Sequence, residues 1–155
     1  MKKVILLVLV VMISMTLVSC KQQGTSESET QKRVSEVLSI AQQYKSAYET
    51  KSAEKYLALF SDDGEYTDYG FPGFGTWDIR FLKDEVYETF AEKEFEMKFN
   101  SLFVSSDGQF ATLEGIFTYI GKDKTISSVP VVAILEFKEG KIIHETLYYD
   151  GRKFF

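Results

Sequence analysis

Phe95-Glu96-Met97-Lys98-Phe99 alternates large apolar side chains with charged ones, and a period of two persists from here towards the end of the chain. Successive side chains of a strand point to opposite faces, so this alternation marks a strand with one buried face. Asp107-Gly108 is a turn signal. After it Ala111, Leu113, Gly115, Phe117 and Tyr119 share one face of a second strand. Gly121-Lys122-Asp123-Lys124 reads as the next turn. A long strand follows over residues 125–138. Pro130 inside it has no amide to donate, which predicts an edge position or a bulge there. Glu139-Gly140 turns the chain into a last strand over residues 141–150. The result is an antiparallel run of four long strands.

Upstream, the spacing of apolar residues is that of helices. Thr30 can cap a helix in which Val34, Val37, Leu38, Ala41, Tyr44 and Tyr48 form one stripe at steps of three and four, ending near Thr50. Ser52 can cap a second, short helix with Tyr56, Leu57 and Phe60 inward. Asp62-Asp63-Gly64 reads as a turn and residues 65–69 as a short strand. Gly70-Phe71-Pro72-Gly73-Phe74-Gly75 reads as a loop. A third helix is expected between Asp78 and Glu92, with Ile79, Leu82, Val86 and Phe90 on one face. Helices followed by a meander predict an α+β fold with the helices packed on one face of the sheet.

The start of the chain is different in kind. Met1, Lys2 and Lys3 precede an uncharged apolar run from Val4 to Val18. That run is short of the roughly 20 residues a helix needs to cross a bilayer, and it follows the pattern of an export signal. Leu17-Val18-Ser19-Cys20 resembles the lipobox of bacterial lipoproteins. The resemblance implies a signal peptide over residues 1–19 and lipidation of Cys20, which would become the first residue of the mature chain. Several acyl chains anchor a protein stably, where one would not. Lys21 differs from the aspartate that retains such proteins in an inner membrane, so the resemblance implies a cell-membrane or outer-membrane anchor with the domain outside the cytoplasm. Residues 20–30 offer almost nothing apolar to bury and read as the lipidated cysteine and a flexible tether. Residues 31–155 are then the folded domain.

Cys20 is the only cysteine, so no disulfide can hold that domain. It must rely on packing, and 45% hydrophobic and 15% aromatic residues make that feasible. The formal charge is −5, and loss of Lys2 and Lys3 with the leader makes it more negative. An acidic domain without a basic cluster is no nucleic-acid binder.

Leu59-Phe60-Ser61-Asp62-Asp63, Glu139-Gly140-Lys141-Ile142 and the closing Tyr148-Tyr149-Asp150, set in this order of helices and strands, resemble the nuclear transport factor 2-like superfamily. This group includes SnoaL-like polyketide cyclases and ketosteroid isomerase. The resemblance covers residues 31–155. It implies a cone-shaped, strongly curved antiparallel sheet of cystatin-like type, with three helices on its concave face and a pocket at the open end. Residues 40–69 resemble ketosteroid isomerase more closely. There Tyr44 falls on the oxyanion-donating tyrosine and Asp68 on the general base. Proton abstraction beside a carbonyl needs both groups. The second oxyanion donor of that family, a protonated aspartate, falls on Ala133.

Other candidates come from the residues themselves. Glu145 shares a strand face with Ile143, Leu147 and Tyr149, and an acid among apolar neighbours needs a partner or a raised pKa. It could stand in for the missing donor, or the face could be open at its middle. Tyr44 reads equally as a core tyrosine, and Asp68 as a strand-end aspartate. Tyr48, Trp77, Phe117 and Tyr119, with Ala133, are candidate pocket residues, although aromatics also build cores. His144 is the only histidine and reads as structural, so neither a transition-metal site nor a cofactor is expected. No phosphate loop or nucleophile elbow is present. The residues point first to a domain binding a small, partly apolar molecule or an envelope protein. The alternatives are an isomerase, cyclase or dehydratase using Asp68, Tyr44 and Glu145, or an accessory domain of an envelope assembly that pairs as a homodimer.

Overall fold

The computed structural model describes residues 27–70, 75–92, 94–121 and 124–153. The expected leader, Cys20 and most of the expected tether lie outside the described residues. So do residues 71–74, which hold both phenylalanines of the expected loop. Among the described residues no helix is long and apolar enough to cross a membrane.

Helix α1 spans Glu27–Glu49 and already contains Thr30, so Thr30 is not its cap. Its buried stripe is Val37, Ala41, Tyr44, Ala47 and Tyr48. Leu38, one step off that stripe, is exposed. Ser52 caps helix α2 (Ala53–Leu57) as expected, accepting from the Lys55 amide at 3.4 Å. Helix α3 (Lys83–Ala91) begins later than expected, because residues 75–78 are extended and pair as a strand.

Among the described residues six strands make one sheet: β1 (Phe60–Asp68), β2 (Gly75–Asp78), β3 (Phe95–Val104), β4 (Phe110–Ile120), β5 (Ile126–Lys138) and β6 (Lys141–Tyr149). Their order is β2-β1-β6-β5-β4-β3. Every neighbouring pair is antiparallel except β1–β6, which is parallel. Strand β1 is longer than the alternation suggests. Phe60 opens it instead of closing α2, and Asp62-Asp63-Gly64 is an irregularity within it: the β6 ladder jumps from Phe60↔Ile142 to Glu65↔His144. Pro130 pairs with Ile116 of β4, but the β6 ladder begins at Val131↔Tyr149, so β5 has a strand on one side only there. Glu139 and Gly140 both take positive φ, as a two-residue hairpin requires.

The sheet is curved and unclosed, and its register shifts mark where it bends. One lies between Phe99 and Ser101 of β3 and another between Glu136 and Phe137 of β5. A bulge increases local twist and bends its strand. Opposite the first, a Cβ on Gly115 would lie 2.0 Å from the Lys98 carbonyl oxygen, so only glycine allows β3 to approach so closely. The concave side carries the core. Tyr44, Leu113, Val131, Leu135 and Ile142 are fully or almost fully buried there beneath α1, α2 and α3.

The bulge against β5 also changes which β6 residues share a face. Phe137 pairs with Ile142 but Glu136 pairs with His144, which leaves Ile143 as the extra residue. Ile142, Glu145 and Leu147 are therefore the buried set, while Ile143 is half-buried. A strict alternation joins Glu145 to Ile143 instead and puts Ile142 opposite. His144 faces away from the core and its Nε2 lies 2.9 Å from Thr67 Oγ1.

Candidate active and binding site

Glu145 is 0% exposed. It lies between Tyr66 of β1 and Leu135 of β5 in the ladder. Two phenols satisfy it. The Tyr44 hydroxyl donates to Oε1 and the Tyr56 hydroxyl to Oε2, each at 2.7 Å. Burial pushes this carboxyl up to about 7; the two phenols pull it down, and the nearby Asp68 charge pushes it up. Loss of water outweighs the two hydrogen bonds, so the group changes charge near neutrality. Burial, and then the Glu145 charge, hold the Tyr44, Tyr48 and Tyr56 phenols well above their usual range.

Asp68 ends β1 and is 8% exposed. Its Oδ1 accepts from the Gly70 amide at 2.6 Å. Its Oδ2 accepts from the Tyr66 hydroxyl at 2.9 Å and the Tyr149 hydroxyl at 3.0 Å. Tyr66 and Asp68 are two apart on one strand and so share a face. Tyr149 arrives from β6 because that strand runs parallel beside β1. Burial first, and then the Asp68 charge, raise both phenols.

A cavity of about 530 Å³ lies between α3 and the concave sheet. Asp68, Tyr56 and Tyr66 form part of its wall, and Met97, Phe117 and Leu147 another part. The exposed residues Trp77, Glu85, Thr89 and Glu92 also line it and mark where it opens to solvent. Trp77 is 37% exposed and its ring stacks on Tyr66 at 6.1 Å. Among the described residues no group of three or more His, Cys, Asp or Glu side chains is placed to hold a metal ion.

The structure puts the expected site residues in two layers. Asp68, Tyr48, Trp77, Phe117 and Tyr119 line the cavity. Tyr44 and Glu145 do not; they form a buried pair behind it, and Tyr56 connects the layers by lining the cavity while donating to Glu145. Tyr44 has a single hydroxyl proton and directs it at Glu145, not at the cavity. Ala133 is fully buried between Leu113 and Leu147 in the ladder and does not line the cavity. Tyr66 was not among the residues singled out from the sequence. Its position two before Asp68 is the one local sign that could have pointed to it.

The fold and this cavity define an α+β pocket protein of the nuclear transport factor 2-like, cystatin-like kind. Residues 41–145, more than half of the chain, match the SnoaL-like domain model, and the chain belongs to that family. Solved structures agree on the fold. A protein from Catenulispora acidiphila with a ketosteroid isomerase-like fold, solved in complex with trimethylamine, superposes with a TM-score of 0.62 at 19% identity, covering 74% of this chain and 88% of its own. A protein of unknown function with a cystatin-like fold from Xanthomonas campestris gives 0.65 at 18%, covering 76% and 93%. An LEH-like epoxide hydrolase of M. tuberculosis gives 0.63 at 17%, covering 77% and 86%. No curated protein matches the chain.

Proposed function

We propose that this chain is a lipid-anchored, extracytoplasmic pocket protein that binds a small, partly apolar molecule. The observation that carries the reading is the pairing of an aromatic cavity with polar groups already committed to one another. Tyr44 and Tyr56 donate to Glu145, and Asp68 takes three donors. That arrangement favours a shaped, preorganised container over a reaction centre with a free oxyanion donor. Trp77 is the chain's only tryptophan and lines the cavity, so its fluorescence reports occupancy. Saturable quenching by a neutral alcohol of about six carbons is expected, and Met97→Trp, which fills the cavity, should abolish saturable binding measured by calorimetry. Binding that survives the filled cavity would count against the pocket. The anchor is tested apart: radiolabelled palmitate should enter the expressed chain and fail to enter Cys20→Ser.

A second reading is proton-transfer chemistry of the isomerase, cyclase or dehydratase type. The rise of Glu145 to about 7 favours it, because a carboxyl that changes charge near neutrality behind the cavity wall can take up or release a proton through Tyr56, which lines the cavity. Asp68 would be the base. Tyr56, which lines the cavity, takes the donor role first assigned to Tyr44 only when its hydroxyl proton, now given to Glu145, turns to the cavity as Glu145 is protonated. Exchange of α-deuterons from a cyclic ketone should then be accelerated by the chain and lost in Asp68→Asn. Equal exchange by the two proteins would end this reading.

A further inference from the structure

We propose that the cavity selects an organic cation, an amine protonated at neutral pH or a quaternary ammonium, over a neutral or anionic molecule of the same shape. This rests on the pocket reading above and specifies its ligand class.

Three features of the wall point the same way. More than half of the described side chains lining it are aromatic, including Tyr66, Trp77, Phe95 and Phe117. Ring faces carry negative electrostatic potential and attract a cation, most strongly when water is excluded. Asp68, Glu85 and Glu92 also line it, and none of the described lining residues is a lysine, arginine or histidine. Among the described lining residues an anionic ligand therefore meets several carboxylates and no cationic side chain; the nearest ammonium, that of Lys51, is held against the Phe95 ring and the Glu92 carbonyl oxygen. Finally, one ring of this wall already holds an ammonium, from Lys51, which does not itself line the cavity. Lys51 Nζ sits 5.3 Å from the centre of the Phe95 ring while donating to the Glu92 carbonyl oxygen at 2.6 Å.

Asp68 separates a cationic guest from a neutral one. It is 8% exposed, and a guest filling the cavity removes most of the water left to it. Its three donors occupy part of its acceptor capacity and supply no full positive charge. A neutral guest thus strips solvent from a carboxylate without replacing it, which is unfavourable. An ammonium group restores the lost stabilisation by direct attraction, and its methyl or methylene groups still fill the aromatic space.

The test compares two probes of one shape: choline, and 3,3-dimethylbutan-1-ol, in which carbon replaces the quaternary nitrogen. Binding to the full chain is read by Trp77 fluorescence and by calorimetry. Choline is expected to bind at least about tenfold more tightly. Asp68→Asn should remove most of that advantage while changing the affinity for the alcohol by less than about twofold. Glu92→Gln at the exposed mouth is a second variant that does not disturb the core, and it should weaken choline alone, by about two- to threefold. Equal binding of the two probes, or preference for the alcohol, overturns the cation inference and leaves the pocket standing. Binding of neither probe overturns both.

Discussion

Replacing Glu145 with glutamine should make the protein more stable at neutral pH, although it alters a group at the centre of the core. The folded-state affinity of Glu145 for a proton is raised from 4.5 to about 7, chiefly by burial. Between those values the folded protein holds a proton that the unfolded chain releases, so stability falls as pH rises through that window. Below about pH 4.5 the contribution is complete, and above about pH 7 it is gone. At about 1.4 kcal/mol per decade of proton affinity, the span corresponds to about 3 kcal/mol. Glu145→Gln carries no titrating group. Its side-chain oxygen can accept from one phenol and its amide can donate to the other, so both Tyr44 and Tyr56 keep a partner. The difference in unfolding free energy, variant minus wild type, should therefore climb by about 3 kcal/mol from pH 4.5 to pH 7.5 and level off. Urea unfolding at four pH values measures it, with unchanged m-values showing that the same surface is exposed. A difference independent of pH would refute the reasoning, because a carboxyl that stays ionised across this window cannot have been destabilised by burial.

Three further outcomes follow from the same geometry. Tyr44→Phe removes one of the two donors to Glu145 and should cost about 1–3 kcal/mol at pH 8, and less at pH 5 where Glu145 is protonated; urea unfolding at both values compares them. Tyr66→Phe should cost about 1 kcal/mol, since Asp68 keeps the Tyr149 hydroxyl and the Gly70 amide, and a much larger loss by the same assay would mean that those two do not suffice. Gly115→Ala forces a methyl group to within 2.0 Å of the Lys98 carbonyl oxygen and should lower stability by more than about 2 kcal/mol in thermal denaturation; a neutral result would mean that β3 and β4 separate freely there.

The meander was legible because its signal is local. Phe95, Met97 and Phe99 alternate within one strand, and Asp107-Gly108 and Glu139-Gly140 turn the chain where the hairpins turn. Helix α1 was legible for the same reason, down to Tyr44 on its buried stripe. The partner of Tyr44 was not. Glu145 was marked as unusual, but a regular alternation put it beside Ile143. The bulge that sets it with Ile142 and Leu147 leaves no trace in composition. Likewise the strand at 75–78 follows a glycine-rich stretch and is too short to show a period, so Trp77 could be picked out as a pocket candidate but not as a strand residue paired with Tyr66. Asp68 could be picked out, but not the convergence of Tyr66 and Tyr149 on it, because the parallel contact of β1 with β6 joins residues far apart in the chain.

That contact has a consequence for the order in which the molecule is assembled. Strands β3 to β6 are neighbours in sequence as well as in the sheet, and hairpins of this kind close over short loops. Strand β1 has no such neighbour beyond β2; its long-range partner is the last strand made. Closing so long a loop is slow compared with closing a hairpin. Tyr66 and Asp68 therefore wait, through synthesis of the whole meander, for the strand that carries Glu145 and Tyr149. Until residue 149 has been added the wall lacks Leu147 and Tyr149, and β1, with Tyr66 and Asp68, has no partner joining it to the meander that carries Phe95, Met97 and Phe117.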